Sequence, residues 1–145
     1  MLDKKWNYAP KDLRALTEME ERIAKAAQQQ TTVTYSEMVN GVKCQMPNVR
    51  GGIPFQIGVP EWTDFDRALL DDFLGYLCVQ SYTKYGFMAS VPAVSGETQM
   101  PGTRFFTWMR EIGAMKGKSV STEMALWQDQ QEKAHVFYSH NKTVL

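Results

Sequence analysis

The chain has little of most things that identify a reaction. It carries two cysteines, Cys44 and Cys78, and two histidines, His135 and His140. The cysteines match no metal-ligand spacing and read as two reduced thiols. The histidines stand five apart, about 500° around a helix, so they lie on different faces. A helical metal pair needs a spacing of three or four. No apolar run approaches the ~18 residues of a membrane span. Residues 1–6 have no apolar stretch behind their charges. The expectation is a cytoplasmic domain with no membrane partner. Neither sign of charge is in excess, with 16 lysines plus arginines against 16 aspartates plus glutamates. That balance excludes a polybasic tail, an acidic tail and a chain-wide nucleic-acid field. There is no glycine-rich phosphate loop and no nucleophile elbow; Gly51-Gly52 alone signals a loop. No cofactor is expected.

What is present is an ordinary core-forming composition, 43% hydrophobic and 22% charged over 145 residues. This predicts one globular domain, residues 11–145, behind a loose arm at 1–10 carrying Trp6, Tyr8 and Pro10. The fold class expected is α+β, mostly helical, with a small two- or three-stranded sheet. Helices are predicted near 11–29, 35–40, 64–80, 104–112 and 121–139. The first rests on the stripe Leu13, Leu16, Met19, Ile23, Ala26 and Ala27. The second opens on the capping box Thr34-Tyr35-Ser36-Glu37 and stops at Asn40-Gly41. Thr63 with Asp66 resembles a second capped start, before Phe65, Leu69, Phe73 and Leu77. Thr103 is the expected cap of the fourth helix, whose apolar face is Phe105, Trp108, Met109 and Ile112, and Ser121 that of the fifth. Residues 42–60, punctuated by Pro47, Gly51, Gly52, Pro54, Gly58 and Pro60, read as irregular. Gly86 to Val94 reads as an apolar strand with an edge-type proline.

The zero charge is not evenly spread. Residues 61–99 sum to minus four, and residues 100–119, with Arg104, Arg110, Lys116 and Lys118, to plus three. A local basic patch near 104–118 is one reading, and a solvated helix face is the ordinary one.

The order of these signals resembles the winged helix-turn-helix domain of the alkylguanine-DNA alkyltransferases and their alkyltransferase-like relatives. The stretch involved is about residues 20–113. Val33-Thr34-Tyr35-Ser36-Glu37 matches a Val-Thr-Tyr-Gly-Glu helix start, and Arg67 is nearest to the recognition-helix arginine. The active-site strand Pro-Cys-His-Arg has Ala89-Ser90-Val91-Pro92 in its place, followed by a turn and a helix ending in Arg110-Glu111-Ile112-Gly113. Ser90 stands where the nucleophilic cysteine would be, without the activating histidine. The resemblance therefore implies DNA binding without methyl transfer. Otherwise Thr34-Tyr35-Ser36-Glu37-Met38 and Pro101-Gly102-Thr103-Arg104-Phe105-Phe106 would mark a small bacterial or phage family of their own.

Three functions are open at this stage. The first is a non-enzymatic, winged-helix-like nucleic-acid-binding domain. Tyr35 and Ser36 would contact phosphate from a helix start, Arg67 a base, and Lys84, Arg104 and Arg110 the backbone. Asp64, Asp66, Asp71 and Asp72 oppose it, because carboxylates near phosphates cost affinity. The second is a protein-interaction or homodimerisation module, for which Trp6, Tyr8, Phe55, Trp62 and Phe87 offer aromatic surface. The third is a metal-dependent enzyme using the 64–72 carboxylates, since Asp-x-Asp and Asp-Asp pairs suit a hard cation. Three side chains also have ordinary structural roles available. Tyr35 is a natural core residue, Arg67 a natural partner for Asp71 four positions on, and the methionines natural gap fillers. Arg104 at a helix start opposes the dipole, which points to an anion or a partner carboxylate.

Overall fold

The structure is a computed structural model that describes residues 6–117 and 119–145. Lys118 and residues 1–5 of the expected arm lie outside them. Among the described residues five α-helices and one strand pair follow in the order α1 (Leu13–Gln28), β1 (Val33–Thr34), α2 (Tyr35–Val39), α3 (Asp64–Tyr85), β2 (Ala93–Val94), α4 (Thr103–Glu111) and α5 (Val120–His140). The chain is thus mostly helical α+β. The two strands are parallel, with Val33 opposite Ala93 and Thr34 opposite Val94. A parallel pair needs a long crossover, and here residues 35–92 supply it through α2, the 42–60 loop and α3.

Both predicted capping boxes form. Thr34 Oγ1 accepts from the Glu37 N–H at 3.1 Å, and Glu37 Oε1 accepts from the Thr34 N–H at 3.0 Å. Thr63 and Asp66 repeat the exchange, both at 3.0 Å. Two predicted caps move one or two residues upstream. Gly102 takes the N-cap position of α4, with no side-chain cap, and Ser119 rather than Ser121 caps α5.

α3 is the central element. Half of its 22 residues are buried, including Leu69, Leu70, Phe73, Leu74, Leu77 and Cys78. It runs five residues past the predicted end and closes on Gly86, whose φ of 78° suits a left-handed cap. α1 packs along α5 and buries Leu16, Met19 and Ile23; Leu13, expected in that stripe, is 47% exposed.

The predicted strand 86–94 shrinks to Ala93–Val94, and the reason is where its backbone groups bond. The Met88 N–H goes to the Gln130 side chain at 2.8 Å and the Ala89 N–H to Ser81 Oγ at 2.9 Å. Val91 N–H turns back to the Met88 carbonyl. The first bond to the other strand comes at Pro92, whose carbonyl accepts from the Val33 N–H at 2.9 Å.

The arm is not loose over residues 6–10. The Asp72 carboxylate accepts from the N–H groups of Asn7, Tyr8 and Ala9 at 3.0, 3.2 and 2.8 Å. Trp6 stands edge-on to Tyr76 and lies over Gly75, where a β-carbon would come within 2.9 Å of the indole. The 42–60 loop stays irregular apart from a 3-10 turn at Arg50–Gly52. It is nevertheless pinned by a two-way backbone exchange between Cys44 and Phe55. At the far end, the buried Glu20 carboxylate accepts from Tyr138 Oη and the Val144 N–H, 2.7 and 2.8 Å away, and also from the Thr143 hydroxyl. It ties α1, α5 and the last residues together.

Candidate functional site

Parallel strands point their carboxyl ends in one direction, and ligands of α/β folds collect in the crevice beyond such ends. Here β1 runs straight into α2, and β2 leads through Ser95–Pro101 into α4. The beginnings of the two helices therefore meet. They enclose a cleft of about 670 Å³ lined by Tyr35, Ser36, Trp62, Arg67, Leu70, Asp71, Glu97, Gly102, Thr103 and Arg104. Its size lies within the roughly 300–1,000 Å³ of small-ligand sites.

Four of the six predicted contact residues come together here: Tyr35, Ser36, Arg67 and Arg104. The other two do not. Lys84 is in the last turn of α3, about 25 Å along the helix from Arg67 at 1.5 Å per residue, and its Nζ reaches the Val144 carbonyl at 3.4 Å. Arg110 donates to Glu123 at 2.8 Å and to the Gly117 carbonyl at 3.0 Å, binding the end of α4 to the start of α5.

Within the cleft, Tyr35 Oη accepts a hydrogen bond from the Gly102 N–H at 2.8 Å. Burial pushes the Tyr35 phenol up to about 12, against the opposing pull of that N–H. The hydroxyl stays protonated at neutral pH and keeps a proton to donate. Arg67 pairs with Asp64 at 3.1 Å, three residues back, and not with Asp71 as the sequence suggested. Asp71 instead faces Arg104 at 3.7 Å. The misfit of Arg104 with the α4 dipole is thus met by a carboxylate on α3. Both pairs are solvent-exposed, a class worth roughly 0–1 kcal/mol.

The carboxylate run at 64–72 divides by burial. Asp66 and Asp72 are buried: Asp72 accepts from the N–H groups of the arm, and Asp66 Oδ2 accepts from the Thr63 N–H at the helix cap while its Oδ1 is buried without a hydrogen-bond partner among the described residues. Asp64 and Asp71 are the two paired with arginines. Among the described residues no group of three or more histidine, cysteine, aspartate or glutamate side chains is placed to hold a metal ion. Ser90 is buried with its Oγ 2.8 Å from Cys78 Sγ, so its neighbour is a thiol and not a base. Cys44 and Cys78 are both free and buried, and burial raises their thiols to about 12 and about 11. His135 is half-buried, its Nδ1 2.8 Å from the Ala27 carbonyl, which identifies that nitrogen as the protonated one.

Trp62 joins the cleft lining without having been among the expected contact residues. It counted as a candidate for an exposed aromatic patch, yet it lines the same cleft as Arg67 and Arg104. Its position before the Thr63 cap was the available signal. Among the described residues no helix is long and apolar enough to cross a membrane. Comparison with protein-family models, curated proteins and solved structures finds no match.

Proposed function

We propose that the chain is a non-enzymatic nucleic-acid-binding domain whose ligand seat is the cleft between the starts of α2 and α4. The observation that carries this reading is the convergence of donors: the Tyr35, Ser36 and Thr103 hydroxyls and the Arg67 and Arg104 guanidiniums, each held only in an exposed ion pair, line one concave surface. A donor-rich wall suits an acceptor-rich ligand such as a phosphodiester. A winged-helix reader would lay its recognition helix in a groove. In the reading proposed here only the first turn of α3, with Arg67, meets the ligand, because the rest of that helix is largely core. Phosphate displaces the exposed Asp64 and Asp71 partners at small cost.

The test is fluorescence anisotropy of short single-stranded and duplex DNA across a salt series. The reading expects binding with a shallow slope, one or two counterions released, because two arginines are available. It also expects loss of binding in Arg67→Ala/Arg104→Ala. Absence of any binding at low salt would contradict it.

A protein partner is favoured by one separate observation. The cleft lining carries both signs, Asp71 and Glu97 as well as Arg67 and Arg104. Such a lining suits a polypeptide segment carrying both charges. No affinity for DNA, combined with a concentration-dependent mass in sedimentation, would favour that reading in its homodimeric form.

A further inference from the structure

We propose that the unit taken by the cleft is a single unpaired nucleotide, its base against the Trp62 indole and its phosphate between Arg67 and Arg104. The proposal rests on the nucleic-acid reading above and deepens it.

The juxtaposition is the starting point: the Trp62 and Tyr35 rings and two guanidiniums border the same cleft. Single-stranded nucleic acid is held by this combination, cations for the backbone and an aromatic surface for the base. Trp62 is also held in place from one side. A β-carbon built on Gly58 would lie 2.9 Å from Trp62 Cε2, 3.1 Å from Nε1 and 3.3 Å from Cδ2. Near-equal distances to three atoms around one ring-fusion carbon put Gly58 over the face of the indole and not at its edge. Gly58 has φ +76°, which also favours glycine. The backbone thus covers one face of the indole, and the half-buried ring, packed against the core, also borders the cleft.

Charge sets the size of the ligand. Asp71 and Glu97 share the cleft with the two arginines, so the local balance is neutral and there is no surplus positive charge to hold a run of phosphates. One phosphate placed between the guanidiniums, with the Tyr35 hydroxyl donating to it, uses the donors present. Pairing decides the rest. In a duplex each base is stacked on its neighbours and cannot reach Trp62, and half of the helix that would enter a groove is spent on the core. A free mononucleotide and the phosphorylated end of a single strand present the same chemistry.

The experiment titrates the protein with thymidine 5′-monophosphate, thymidine, inorganic phosphate, 5′-phosphorylated trithymidylate and a short duplex. Tryptophan fluorescence and calorimetry follow binding. The monophosphate should bind at least about tenfold more tightly than thymidine or phosphate alone. Trp62→Leu should lose about tenfold for the monophosphate and leave the weak binding of inorganic phosphate unchanged. Trithymidylate binding more tightly than the monophosphate identifies a strand end as the source; equal binding identifies the free nucleotide. Should Trp62→Leu not fold, quenching of the wild-type indole by nucleotide, assigned by its loss in Trp62→Phe, gives the same decision. Unchanged affinity in Trp62→Leu, or absence of that quenching, overturns the stacking proposal. So does a duplex that outcompetes the single strand, although binding of the duplex at the cleft arginines leaves the nucleic-acid reading standing. If no nucleotide or strand binds, both fall.

Discussion

The Gly102 N–H donates to Tyr35 Oη across 2.8 Å, joining the first residue of α2 to the N-cap of α4. The two residues are distant in sequence, and each follows the end of one of the two parallel strands. This bond sets the width of the cleft. Tyr35→Phe keeps the ring and deletes the acceptor, leaving the Gly102 N–H unpaired in a partly buried place. The expected cost is about 1–2 kcal/mol in urea unfolding, together with weaker ligand binding. Unchanged stability would show that the bond is not formed in solution.

Alkali should unfold the protein in a defined window. The Cys44 thiol is raised from 9.0 to about 12, Cys78 from 9.0 to about 11, and Tyr35 from 10.0 to about 12, each chiefly by burial. In the unfolded chain these groups lose their protons near 9 to 10, while the folded chain retains them. Stability is therefore full below about pH 9 and falls as pH rises through 11 to 12. Melting temperature measured from pH 8 to 12 should show this decline, and Cys44→Ala should make it shallower. A flat profile would contradict the burial of these groups.

Asp72 is the anchor of the N-terminal segment. Asp72→Ala removes the acceptor for three consecutive N–H groups, with an expected cost of about 3 kcal/mol. The distinctive readout is local: limited proteolysis should cut between residues 6 and 11 in the variant and not in the parent, and the Trp6 environment should become polar.

Glu20 does the equivalent work at the other end. Glu20→Ala leaves Tyr138 Oη and the Val144 N–H without their buried acceptor, for an expected loss of about 3 kcal/mol. Glu20→Gln, which keeps one acceptor, should lose about half of that. Hydrogen exchange at Val144 should accelerate in both, and more in the alanine variant.

The legible parts of this fold were those decided by neighbours in sequence. Thr34 with Glu37 and Thr63 with Asp66 state their helix starts within four residues, and Asn40-Gly41 marks the end of α2; Gly86, read as the start of a strand, instead closes α3. The 86–94 segment misled because its apolar pattern says nothing about its N–H groups, which Ser81 and Gln130 claim from other helices. Burial of Glu20, Asp66 and Asp72 was equally hidden: a carboxylate goes inside only when particular backbone N–H groups or hydroxyls meet it, and most of those partners are remote. The same holds for the site. Tyr35, Ser36 and Arg104 were named from helix-start signals and Arg67 from the family resemblance, but Trp62 lines the cleft with them, and Lys84 and Arg110 lie away from it, through tertiary placement alone.

Backbone amide mapping tests the central claim, that the cleft is the binding seat. Nitrogen-15-labelled protein is titrated with 5′-phosphorylated trithymidylate, and shifts are read residue by residue. The prediction is that the largest changes fall on Tyr35, Ser36, Gly102, Thr103, Arg104 and the Trp62 indole N–H. Saturating shifts confined to any other surface, or no shifts at millimolar ligand, would contradict it.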